Sequence, residues 1–218
     1  MTINEISENP APTTGATSRI PLAQAEPIAR EALALFAPAC LRLEIAGSIR
    51  RRRPDVADVE LVAVPRLEPI LDLFGEQRGE QDTLHALCRQ LLADGVLSHR
   101  PDKNGVQSFG PKSKRVVYHG RAGALPLDLF AVTDVAQWGA IFAIRTGPAL
   151  FAKRLVTPRL YGGYMPMGMR EWEGALWDGT RLVETPEETD FFTALGVAWL
   201  PPEQRTDEVQ LAPLRGAR

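Results

Sequence analysis

The sequence predicts an α+β fold, and three observations carry that reading. Helical runs at Ile20–Phe36, Leu84–Ala93 and Trp138–Ile144 are interleaved with apolar strand runs at Leu41–Ala46, Val56–Val64 and Leu125–Val132. Asp58 and Glu60 lie in the second of those strands and Asp128 in the third, each among apolar residues. After residue 146 the pattern shifts to one helix, Leu150–Val156, and then to short runs broken by glycine. A chain of 218 residues has room for one larger and one smaller domain.

In order, Pro21 suits the first turn of the opening helix, and Pro38 stops it. The first strand leads into a turn at Ala46-Gly47-Ser48, and arginines follow at 50–53. In Asp58-Val59-Glu60 the acids are two residues apart, so on a strand both point to one face, which Val62 and Val64 continue. Such paired acids lose hydration and repel each other, so they need a cation. A hard divalent ion meets that need through carboxylate and phosphate oxygens. The Gly47-Ser48 turn offers N–H groups and a hydroxyl to a phosphate, and Arg51 offers a charged donor. Together these features suggest phosphoryl or nucleotidyl transfer.

Residues 68–81 read as an irregular connection with Leu71, Leu73 and Phe74 packed, and His85 as a surface residue. Lys103-Asn104-Gly105 reads as a turn, and Gly110–Arg115 leads into a strand at 116–119. Asp128 is a single acid in an apolar strand. A metal shared with Asp58 and Glu60 would satisfy it; the other reading is a salt bridge to a local arginine. Runs at 165–169, 175–177 and 181–183 read as short strands, with a turn at Asp178-Gly179. Thr185-Pro186-Glu187-Glu188 reads as a helix start with Thr185 as cap, and Gly196 as its stop.

Composition sets outer bounds. The hydrophobic fraction is 44% and the net charge −2. No apolar run reaches membrane-spanning length. Cys40 and Cys88 stand alone without ligand spacing and read as buried free thiols. Residues 1–18 read as a disordered tail without a signal-peptide core. The expectation is a cytoplasmic protein with no membrane partner, a monomer. Positive charge clusters at 50–53, at Lys112, Lys114 and Arg115, and at 153–159, while acids concentrate late. A basic face opposite an acidic edge would permit weak, salt-sensitive DNA binding.

Gly-Ser-x-Arg-Arg followed by an acid-x-acid strand resembles the palm of the nucleotidyltransferase superfamily, most closely family X DNA polymerases of the DNA polymerase beta type. The resemblance runs from about Arg19 to about Asp207. It implies a palm at 19–145, a mixed sheet with flanking helices, then a small α+β thumb at 146–207 and a C-terminal tail at 208–218. It implies two Mg²⁺ ions, with Mn²⁺ an alternative. Asp58 and Glu60 would hold both, and Asp128 the hydroxyl-activating one. Gly47, Ser48 and Arg51 would hold the triphosphate, and the Thr146-Gly147 turn would support the sugar and base of a dNTP or NTP. The strand near Lys112, Lys114 and Arg115 would lie along gapped or primer-template DNA.

The chain departs from the family at several points. Glu60 stands where an Asp is usual, Ala57 replaces a Gly, and Ile144-Arg145 replaces an aromatic pair. Ala152 replaces an Asn, and no Arg precedes Asp128 at Leu125-Pro126. No lyase or helix-hairpin-helix module is expected before Arg19. The implied activity is a minimal gap-filling DNA polymerase. Its alternatives are a template-independent transferase acting on RNA, a protein or a small molecule, and a non-enzymatic nucleic-acid end-binding module.

Overall fold

The computed structural model describes residues 18–214. The expected tail at 1–18 therefore falls almost wholly outside the described residues, as do 215–218. The elements run β1 (Ile20–Pro21), α1 (Leu22–Phe36), β2 (Cys40–Ile45), α2 (Gly47–Arg50), β3 (Asp55–Val56), β4 (Val59–Pro65), β5 (Leu67–Leu71), β6 (Gln77–Asp82) and α3 (Thr83–Ala93). They continue with β7 (Leu97–His99), β8 (Ser113–Gly120), β9 (Gly123–Ala131), α4 (Trp138–Thr146), α5 (Ala149–Val156), β10 (Met169–Trp172), β11 (Ala175–Asp178), β12 (Arg181–Val183) and α6 (Glu188–Ala194). Among the described residues no helix is long and apolar enough to cross a membrane.

The centre is a five-stranded mixed sheet in the order β2-β4-β9-β8-β7. Only β4 and β9 run parallel; the other neighbours are antiparallel. The two-residue period of β4 divides it between two cores. Val59, Leu61 and Ala63 face α1 and α3, meeting Ile28, Phe36, Leu84 and Leu91. Val62 and Val64 face the other way, onto Trp138 and Phe142 of α4. Because α4 covers only that end of the second face, the Glu60 and Asp128 end is left open. A third cluster joins Ala140 and Ala143 of α4 to Phe151, Leu176, Phe191 and Phe192, and it forms the core of the C-terminal unit. There β10, β11 and β12 make a small antiparallel sheet.

Several elements differ from expectation. Residues 68–81 form the hairpin β5–β6, and Leu71, Leu73 and Phe74 are 58%, 100% and 89% exposed rather than packed. Its tip is set by turn chemistry: the Asp72 carboxylate accepts the Phe74 and Glu76 N–H groups, and Gly75 takes a positive φ. Helix α6 is capped by Glu187 in a reciprocal box with Asp190. Thr185 is buried instead, its backbone joining Ala136 and Gly139. The first strand of the small sheet is Met169–Trp172, not 165–169. Within residues 208–214, Leu211 is buried and Pro213 bridges Val197, while Glu208, Gln210 and Ala212 are exposed. His85 is half-buried, its ring 5.5 Å from that of Phe109. Cys40 and Cys88 are free and buried as expected, and burial pushes their thiols up to about 11 and about 12.

Gly139 shows how closely the two units meet. A methyl group there would overlap the Glu187 carbonyl and crowd that of Thr185. Gly139→Ala is therefore expected to lower Tm by about 2–12 °C, the overpacking range for a chain of this size, as read by thermal denaturation.

Candidate active site

Helix α2 is a single turn that begins with Gly47 at φ +61°. Two constraints select glycine there. An L side chain rarely takes that φ, and a methyl would overlap the Glu60 carboxylate. Gly47→Ala is expected to displace Glu60 and remove any function that depends on it, read as lost activity in a folded variant.

Next to Gly47, the Ser48 hydroxyl is buried and has no hydrogen-bond partner among the described residues. Arg51 donates from Nη1 to the Thr146 carbonyl, while its Nε is buried and unpaired. These groups line a cleft of about 490 Å³ together with Arg19, Arg53, Asp58, Glu60 and Asp207. Two orphaned donors and an acid pair thus share one cavity. Burial holds the Arg51 guanidinium below its usual range, partly offset by the Glu60 charge.

The three acids expected from sequence stand at neighbouring positions. Glu60 and Asp128 are register partners across the parallel pair β4 and β9. Asp58 lies just before β4, which starts at Val59, so it is a loop residue rather than a strand residue. Val56 belongs to a separate strand paired with β1. Burial raises the Asp58 carboxyl, and the Asp128 charge raises it further. Glu60 is pushed up to about 7, first by burial and then by Asp58 and Asp128. These are the shifts expected of clustered, dehydrated carboxylates.

Asp128 carries the salt bridge that the sequence left as its second reading. Arg100 pairs with it, and Arg115 Nε stands 3.6 Å away. Arg100 follows β7 and Arg115 lies in β8, the neighbour of β9. Among the described residues no group of three His, Cys, Asp or Glu side chains converges closely enough to enclose a metal ion. The donor chemistry nonetheless fits a hard divalent cation beside a phosphate: carboxylates raised by burial and then by their neighbours, a hydroxyl that no described residue partners, and a half-buried guanidinium.

The other expected residues are placed differently. Thr146 is fully buried, and its hydroxyl accepts a 2.6 Å hydrogen bond from Arg50. Gly147 closes α4 and packs on the Phe151 ring. Lys112 is exposed and pairs with Glu173 at 3.1 Å. Lys114 is a correction: it is only 1% exposed, with Nζ donating to the Pro111 carbonyl, so it has no surface to offer DNA. The alternation along β8 turns it inward. Arg115 points to Asp128, not away from the site. The arginine run is also largely spent within the chain: Arg50 on Glu188, Arg52 on Glu26, Arg53 on the Arg205 carbonyl.

No family model matches the chain, and no curated protein matches it.

One further cluster has no counterpart among the motifs read from sequence. Glu188 is buried and accepts hydrogen bonds from Arg50, Arg205 and the Trp199 indole. Burial opposes its charge, but the hydrogen bonds from Arg205 and Arg50 prevail and hold it down to about 2. This cluster fixes the position of α2, and so of Ser48 and Arg51, against the C-terminal unit.

Proposed function

We propose that this chain is a metal-dependent nucleotidyltransferase, a minimal palm-and-thumb DNA polymerase of the beta type that adds a nucleotide to a primer 3′-hydroxyl. One observation carries the reading. Two carboxylates raised by burial and by neighbouring charge, Asp58 and Glu60, line one cleft with the Arg51 guanidinium and the Ser48 hydroxyl, which no described residue partners, and Asp128 is the register partner of Glu60. The mixed sheet with an α+β unit after it supports a palm followed by a thumb.

In this reading Ser48 and Arg51 take the triphosphate, and Gly47 leaves room for the Glu60 carboxylate beside it. Asp58 and Glu60 would hold two Mg²⁺ ions, or Mn²⁺, and Asp128, which Arg100 pairs with here, would serve the ion at the acceptor hydroxyl. When bound, the ions lower the hydroxyl's pKa and neutralise charge on the phosphates. Arg51 supplies positive charge where the leaving pyrophosphate develops its own. The thumb, fixed through Arg50 and Glu188, keeps the α2 donors in one place.

The test is primer extension on a one-nucleotide gapped duplex at low salt, with Mg²⁺ or Mn²⁺ and each dNTP or NTP supplied alone. Template-dictated insertion supports the polymerase; no incorporation overturns it. Buried Lys114 and the internally paired arginines favour one second reading, a transferase with the same chemistry and a different acceptor. Insertion indifferent to template would select it.

Metal binding should also register as stability. Without metal, folded Glu60 keeps a proton up to about 7, whereas the unfolded chain releases it near 4.5. Its raised value makes stability fall as pH rises through that window and level off above it. Millimolar Mg²⁺ is therefore expected to raise Tm more at about pH 8 than at about pH 6, and Glu60→Gln to abolish the difference.

A further inference from the structure

The face of the sheet toward α4 carries two rows of side chains in register. Glu60, Asp128 and Arg115 form the first, and Val62, Phe130 and Ser113 the second. Helix α4 ends over the second row. The Arg145 guanidinium lies 3.8 Å from the Phe130 ring centroid. The side chain is exposed and lines a hollow of about 300 Å³ with Lys112, Ser113 and Glu171. Among the described residues no hydrogen-bond or ion-pair partner takes its guanidinium; partial burial of its inner part holds it below its usual range, and the charges of Glu60, Asp128 and Glu171 offset that only in part.

A guanidinium lying on an aromatic face is held in place while its edge of N–H donors stays available, an arrangement suited to a phosphate. The acid row thus has an available cation on each side: Arg51 in the Ser48 cleft and Arg145 over Phe130. A transfer from a nucleoside triphosphate to an uncharged hydroxyl compound needs only the first. The second has a use when the acceptor brings its own phosphate next to the reacting hydroxyl, as the last nucleotide of a strand does.

We propose that Arg145 binds the terminal phosphodiester of the acceptor strand, so that the acceptor is a polynucleotide end. This rests on the nucleotidyl-transfer reading above.

The test pairs a protein change with a substrate change. Arg145→Leu keeps apolar cover on Phe130 and removes the donors. The substrate change is a neutral methylphosphonate at the terminal linkage of the oligonucleotide acceptor. Arg145→Leu is expected to raise the acceptor KM about 10–100-fold, to change kcat less than about 3-fold, and to lower the salt slope of binding by about 0.7–0.9. The methylphosphonate should weaken wild type by a similar factor and leave Arg145→Leu unaffected, while Arg145→Lys should recover part of the loss. Equal weakening of both proteins, or a loss confined to kcat, overturns the proposal. The same comparison is read by fluorescence anisotropy in EDTA, which requires no turnover. A wild type that binds with this Arg145 dependence but incorporates nothing overturns the polymerase reading alone. Equal weakening in that assay overturns the role of Arg145 alone.

Discussion

Asp58→Asn is expected to reduce metal-dependent incorporation by at least about 10³-fold while leaving the metal-free fold as stable as wild type or more so. The two halves of this result have one cause. Burial and the Asp128 charge raise the Asp58 carboxyl, so the folded protein holds its ionised form at a cost. Removing the charge relieves that cost and also removes a ligand for the cation that would offset it. A structural acid would behave in the opposite way, losing stability and sparing activity. Single-turnover incorporation and denaturant unfolding, both with and without Mg²⁺, separate the two. Incorporation within ten-fold of wild type would show that Asp58 is not part of the active site.

The second large effect belongs to the Glu188 cluster. Arg205 is fully buried, donating to Glu188 at 2.7 Å and twice to the Leu200 carbonyl. Glu188→Gln leaves Arg205 and Arg50 facing a neutral group, and the cost of an uncompensated buried charge is about 3–5 kcal/mol. For a chain of this size that corresponds to a Tm lower by roughly 6–20 °C. The pH dependence identifies the cause. Glu188 is held at about 2 against an ordinary 4.5, so its contribution is complete above 4.5 and is lost as pH falls toward 2. The gap between wild type and Glu188→Gln should be widest near neutrality and close across that window, as followed by urea unfolding at stepped pH. A gap that stays constant down to pH 3 would exclude the ion cluster as its source.

The two-residue period made part of the site readable from sequence. It put Glu60 on the face of Val62 and Val64, and the structure places it there. The same period failed at the strand boundary, where Asp58 precedes β4. It was not applied at Lys114, which alternation buries. Hydrophobicity misplaced Leu73 and Phe74, because the Asp72 turn decides their positions and no described residue covers them. Contacts between distant parts of the chain left no local trace. Arg100 reaches Asp128 over 28 residues and Arg50 reaches Glu188 over 138, and no window of sequence contains both partners. The helices and main strands were legible because each repeats its own signal along its length.

Helix α4 is shared property. Trp138 and Phe142 belong to the core of the large sheet, while Ala140 and Ala143 belong to the core of the C-terminal unit. A cut at residue 145 or 146 follows a boundary of shape but not of folding. A fragment ending there would present the bare Ala140–Ala143 side of the helix to water, and one beginning there would lack a wall of its interior. The two units are therefore not interchangeable modules. An exchange of the C-terminal unit with another protein's would have to carry α4, and with it the surface that Val62 and Val64 require.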